Sequence, residues 1–136
     1  MQAKRTALLT AFMFLAFAAA PIFAHHSFSA QYDAKKPITL KGEVTKFEWT
    51  NPHARIYVNV ADEKGEITNW NLELGSPNIL ARSGWTSKAL KVGDIVTVDG
   101  ALAKDGSKMA NASRVTLANG RTVFAGSSGG DAAPAR

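Results

Sequence analysis

The chain has 136 residues, 46% of them apolar, a formal net charge of +5 and no cysteine. The missing thiol excludes disulfides and thiolate metal sites, so any metal ion must be held by nitrogen and oxygen ligands. The modest positive charge does not argue for a nucleic-acid partner.

Lys4 and Arg5 precede an uncharged apolar run, Ala7–Ala20, and Pro21-Ile22-Phe23-Ala24 ends it with a break and a small residue. This is the layout of a secretory signal peptide, and the run is too short to span a bilayer comfortably. The expectation is Sec-type export with cleavage after Ala24, removing 1–24. Cleavage after Ala20 would leave Pro21 at the new terminus, and retention as an uncleaved membrane anchor is the other alternative. There is neither a twin-arginine pair nor a lipobox cysteine. The mature chain would keep 112 of the 136 residues, and its charge would fall from +5 to +3 with the loss of Lys4 and Arg5. No later segment is apolar enough to span a membrane, so a soluble periplasmic or secreted single domain is expected.

Residues 25–37 show no sustained period and read as an extended N-terminal arm; 38–125 read as one β domain. Ile38–Val44 alternates apolar and polar residues as a half-buried strand should. Phe47 and Trp49 then fall on the opposite parity from Leu40 and Val44, which predicts a bulge near Thr45-Lys46 with Gly42 allowing a bend. Thr50-Asn51-Pro52 forms a corner. Ala54, Ile56, Val58 and Val60 alternate with Arg55, Tyr57 and Asn59 in a second strand, and Asp62–Gly65 is a polar hairpin loop. In the third strand Trp70, Leu72 and Leu74 share one face, and Asn69, Asn71 and Glu73 the other.

Ser76-Pro77 predicts the start of a short helix, with serine as its cap and proline in its first turn, ending at Gly84. Trp85 is expected to fold back on the core as a plug. Ile95–Ala101 and Ala112–Leu117 read as strands four and five, and Asn119-Gly120 turns the chain into Thr122–Phe124. Residues 126–136, rich in Gly, Ser and Ala, read as a disordered tail. Three strands, a short helix and two or three strands give the expected fold class: mainly β, a small five- to six-stranded OB-like Greek-key barrel with one helix between strands 3 and 4. An open sandwich with a capping helix is the competing architecture.

Chemistry concentrates at the histidines His25, His26 and His53, all at the expected new terminus or at one strand corner. Cleavage after Ala24 makes His25 residue one, and its free amine and imidazole can chelate one metal ion. An α-amine has a pKa of about 8, so a metal need displace only a weakly held proton near neutral pH. A terminal amine with imidazoles suits copper(II) best, with zinc and nickel less favoured. The chemistry resembles that of amino-terminal histidine braces. The arm could span at most about 43 Å and so reach His53 along the first strand. Asn51, Trp49, Asn71 and Glu73 are the residues placed to surround such a site.

Blander readings stand beside this one. The terminal histidines can be solvated residues of an arm, and His53 can cap a turn. Trp49, Trp70 and Trp85 are more often core residues than a ligand platform. The sequence has no Gly-x-Ser-x-Gly elbow, phosphate loop or cysteine nucleophile, and Glu43, Glu48 and Glu73 could pair only through the fold. An enzyme is therefore not expected.

The stretches HHSFSAQYD, GEVTKFEWTNPHARIYV, NWNLELGSPNILARSGW, LKVGDIVTVDG and ANGRTVFAG together resemble a family of small exported bacterial proteins, domain of unknown function 6152. The likeness runs from His25 to about Gly126, and its most specific pieces are His25-His26-Ser27-Phe28 and Trp49-Thr50-Asn51-Pro52-His53. It implies an exported small β domain with no established activity or ligand. The expectation is thus a periplasmic domain that binds copper(II) through His25, His26 and His53 in metal handling or delivery to an unidentified periplasmic protein. The alternative is a metal-free binding or adaptor module for a peptide, glycan or partner protein, using the face around Trp49, Tyr57 and Asn71. A histidine-brace enzyme ranks third.

Overall fold

The computed structural model describes residues 28–126. The predicted signal peptide, His25 and His26, and the tail beyond Gly126 lie outside the described residues. After one helical turn at 28–31, six strands follow with a single helix among them: β1 (Tyr32–Glu48), β2 (Arg55–Ala61), β3 (Ile67–Glu73), α1 (Pro77–Arg82), β4 (Ile95–Ala103), β5 (Met109–Leu117) and β6 (Thr122–Phe124). They form a sheet in the order β3-β2-β1-β4-β5-β6, and a β3–β5 pairing closes the first five strands into a ring. The β3–β5 pairing is parallel and the others are antiparallel. This is the OB-like Greek-key order expected from the sequence, with the helix between β3 and β4. Because the ring closes, the open sandwich is not realised. No helix among the described residues is long and apolar enough to cross a membrane.

The alternation that predicts each strand also fills the ring. Leu40, Val44, Ile56, Val58, Leu72, Leu74, Val96, Val98 and Val115 are buried in one cluster. Burying each such side chain contributes about 1.5–3 kcal/mol. The predicted bulge exists: Val44 pairs with Val58 and Lys46 with Tyr57, leaving Thr45 as the extra residue. Its hydroxyl donates to the Tyr57 carbonyl at 3.2 Å. The slip turns Phe47 inward, where it and Trp49 pack against the cluster.

Strand lengths are where the structure departs from expectation. β1 begins at Tyr32 rather than Ile38, and Tyr32, Asp33 and Pro37 pair with β4 instead of standing apart in an arm. The register shifts between Asp33 and Pro37, so 34–36 loop out exposed. That bulge hides the strand from a simple period-two reading. β4 and β5 run on to Ala103 and back from Met109, further than the expected Ala101 and Ala112. Their extra residues, Leu102, Ala103 and Met109–Asn111, have only a weak pattern of their own. They are strand because Met109–Asn111 pair with Asn71–Glu73 of β3, a partner that no local signal announces.

The helix start is as read. Ser76 adopts an extended conformation and its hydroxyl accepts from the Ile79 N–H, with proline in the first turn. Ser76→Ala is expected to destabilise the fold by about 1 kcal/mol, measured as a lower urea midpoint at unchanged slope.

Candidate functional site

The site grows from the corner between β1 and β2. The Asn51–Pro52 peptide bond is cis, and Ala54, fully buried, is pinned to the end of β3 by two backbone bonds. Its N–H donates to the Gly75 carbonyl at 3.0 Å, and its carbonyl accepts from the Leu74 N–H at 2.9 Å. These bonds bring His53 over the last residue of β3. There the His53 Nδ1 lies 3.1 Å from Glu73 Oε1.

Glu73 sits opposite Arg55 in the β2–β3 register and is one of two buried polar or charged residues among those described. Its carboxylate meets donors from three residues. Arg55 Nη2 reaches Oε2 at 3.0 Å and Tyr32 Oη donates to the same oxygen at 3.1 Å. Asn111 Nδ2 donates to Oε1 at 3.5 Å, beside the His53 ring. Arg55 is fixed further through Nη1, which donates to Asn71 Oδ1 at 3.0 Å. Burial pushes the Tyr32 phenol well above its ordinary range, and the carboxylate beside it adds to the shift. The phenol therefore stays protonated and acts as a donor to Glu73.

Around this hub lies a cleft of about 730 Å³. Glu48, Thr50, Asn51, His53, Lys104 and Asp105 line it, together with Ala30, Gln31 and Tyr32 from the start of the described chain. The β1–β2 loop and the β4–β5 loop form its two sides. The N-terminal segment is strapped across one end: the Lys104 N–H donates to the Gln31 carbonyl at 2.8 Å, and its ammonium group bonds the Ser29 carbonyl. The Phe28 and Tyr32 rings pack tilted against each other, with centres 5.7 Å apart. At the rim Glu48 bonds the Lys46 ammonium and accepts from Tyr57 Oη at 3.3 Å. Its carboxyl is held below the usual range chiefly by the Lys46 hydrogen bond.

Of the histidines singled out in the sequence, the structure places His53 in the cleft, while His25 and His26 lie outside the described residues. Among the described residues no group of three or more histidine, cysteine, aspartate or glutamate side chains is arranged to hold a metal ion. Of the residues expected around the site, Glu73 touches the His53 ring and Asn51 lines the cleft. Asn71 instead serves Arg55, and Trp49 packs edge-on against Phe47 at 5.8 Å. Tyr57, part of the suggested binding face, lies under the Lys46 ammonium, 5.4 Å from its ring centre. Glu48 and Glu73 do share the cleft, one on each side of Arg55 in the sheet register. Sequence reading missed Tyr32, Arg55 and Asn111. Arg55 could have been found from the facing parity of β2 and β3, whereas Tyr32 and Asn111 depend on strand pairings without a local signal.

Residues 12–112 match the model of a family of unknown function, DUF6152. No curated protein matches the chain. Among solved structures the chain is similar to the mitochondrial single-stranded DNA binding protein Rim1 from S. cerevisiae. The TM-score is 0.48 at 10% identity, over 61% of this chain and 93% of that one.

Proposed function

The chain belongs to the DUF6152 family of unknown function, and from its cleft we propose that it is an exported, periplasmic protein that binds copper(II) for metal handling or delivery. In this reading the signal peptide is cut after Ala24, and the ligands are the His25 amine and imidazole with His26 and His53. The observation that carries it is that His53 and Gln31 line the same cleft. Gln31 lies six positions after His25, a span of at most about 21 Å. In this reading the residues before Phe28 carry the new terminus to the corner histidine. Nitrogen donors without thiolates favour copper(II) over zinc or nickel. Carriage of the ion needs only these ligands, so no catalytic step is assigned.

The test is a competitive copper(II) titration of the protein processed by its own signal, beside a version bearing one extra amino-terminal residue. The expected result is sub-micromolar affinity that collapses in the extended protein. His53→Ala should weaken the processed protein by at least the roughly 10–100-fold that loss of a mere supporting partner costs a metal site. Equal, weak binding in both forms would refute the metal site and leave the metal-free binding module as the reading to pursue.

A further inference from the structure

We propose that Glu73 is a positioning residue that fixes His53 as a single tautomer, protonated on Nδ1, with the Nε2 lone pair directed to the cleft. The inference deepens the copper(II) reading and rests on it for its consequence, though not for the tautomer itself. An ionised carboxylate only accepts hydrogen bonds, and its two oxygens offer about four lone-pair sites. Tyr32, Arg55 and Asn111 bring donors to three of them, and the fourth approach is that of His53 Nδ1 at 3.1 Å. At that distance an unprotonated, electron-rich Nδ1 would be repelled by the negatively charged carboxylate oxygen. A proton on Nδ1 turns the contact into attraction, and in the neutral ring this leaves Nε2 unprotonated.

Burial points the same way. Nδ1 is shut off from solvent and, among the described residues, has no formed hydrogen bond. The 3.1 Å approach to Glu73 Oε1 is thus a close electrostatic contact and not a formed hydrogen bond. The side chain as a whole is nevertheless 33% exposed, so its open edge is the one away from Glu73. A metal-binding imidazole commonly donates its second nitrogen to a carboxylate, which fixes the tautomer and raises the basicity of the ligating nitrogen. Glu73 is held by side chains from three other strands before any metal arrives. The ring is therefore preset, and no orientation need be selected on binding.

Long-range proton–nitrogen NMR of the ¹⁵N-labelled, metal-free protein, at a pH where the ring is neutral, reads the tautomer directly. A single Nδ1–H pattern for His53 is expected; an Nε2–H pattern or an even mixture would overturn the proposal. Glu73→Gln replaces an obligate acceptor with a group that can also donate, so the ring should relax to a mixture. A pattern unchanged in a folded Glu73→Gln protein would remove Glu73 from the role. Should that variant not fold, the wild-type spectrum alone still decides the tautomer. For the metal, Glu73→Gln should weaken copper(II) roughly 10–100-fold in the native background and not at all beside His53→Ala. A merely structural effect would persist in both backgrounds and overturn the positioning role. A fixed Nδ1–H tautomer in a protein with no copper(II) affinity would sink the proposed function and leave the tautomer standing.

Discussion

Trp85→Ala is expected to destabilise the fold by about 4 kcal/mol, the largest effect of any single substitution considered. Trp85 is 3% exposed and tilts against Phe47 with ring centres 6.0 Å apart. Its own N–H donates to the Leu80 carbonyl at 3.0 Å, so the turn after α1 aims the ring at the core. The indole Nε1 then donates to the Phe124 carbonyl at 2.8 Å, tying the start of the β4 approach to the last strand. Removing the ring empties the space it fills and orphans that carbonyl. Trp85→Phe separates the two losses: it keeps most of the volume and should cost about 1–2 kcal/mol, the scale of an unpaired buried acceptor. For a domain of this size each kcal/mol lowers Tm by about 4–8 °C, so the alanine variant should melt roughly 15–30 °C lower. An alanine variant within about 5 °C of the parent would show that Trp85 is not the plug.

Gly42→Ala should cost about 3 kcal/mol, at the upper end of what overpacking exacts. A Cβ built on Gly42 would stand 2.2 Å from the Asn59 carbonyl oxygen and 3.0 Å from Val60 Cγ2. The first neighbour is backbone, which cannot rotate away, so the added methyl must push β1 from β2 near the start of their shared register, where Glu43 pairs with Asn59. Gly65 provides the contrast. It lies in the β2–β3 turn at a φ of 81°, and a Cβ there meets nothing within 4 Å. Gly65→Ala therefore carries only the left-handed backbone strain of about 1 kcal/mol. Urea unfolding of both variants checks the order; equal losses would mean that backbone conformation, and not strand approach, decides the Gly42 cost.

The two glycines show what each level of information can supply. Gly42 is visible in the sequence as a place to bend a long strand, and Thr45-Lys46 as the place where its phase changes, because side chains alternate with period two and any slip is written in the residues themselves. What Gly42 touches is not visible, since Asn59 lies on another strand. The candidate site divides in the same manner. His53 after a proline corner and Glu73 on the polar face of β3 are local facts, and both were legible. Tyr32 was read as part of an arm because the bulge at 34–36 interrupts its pattern, and Asn111 fell outside the expected fifth strand.

From the sequence alone follow the order of elements, the bulge in β1, the serine cap of α1, the inward turn of Trp85 and the clustering of histidines, because each depends on periodicity or residue chemistry within a few positions. Closure of the ring, the strapping of the N-terminal segment by Lys104 and the gathering of Tyr32, His53, Arg55 and Asn111 around one carboxylate were decided only by the tertiary structure. Those partners come from β1, β2, β5 and a loop. Only the pairing of distant strands brings their side chains within hydrogen-bonding distance, and no short stretch of chain encodes it.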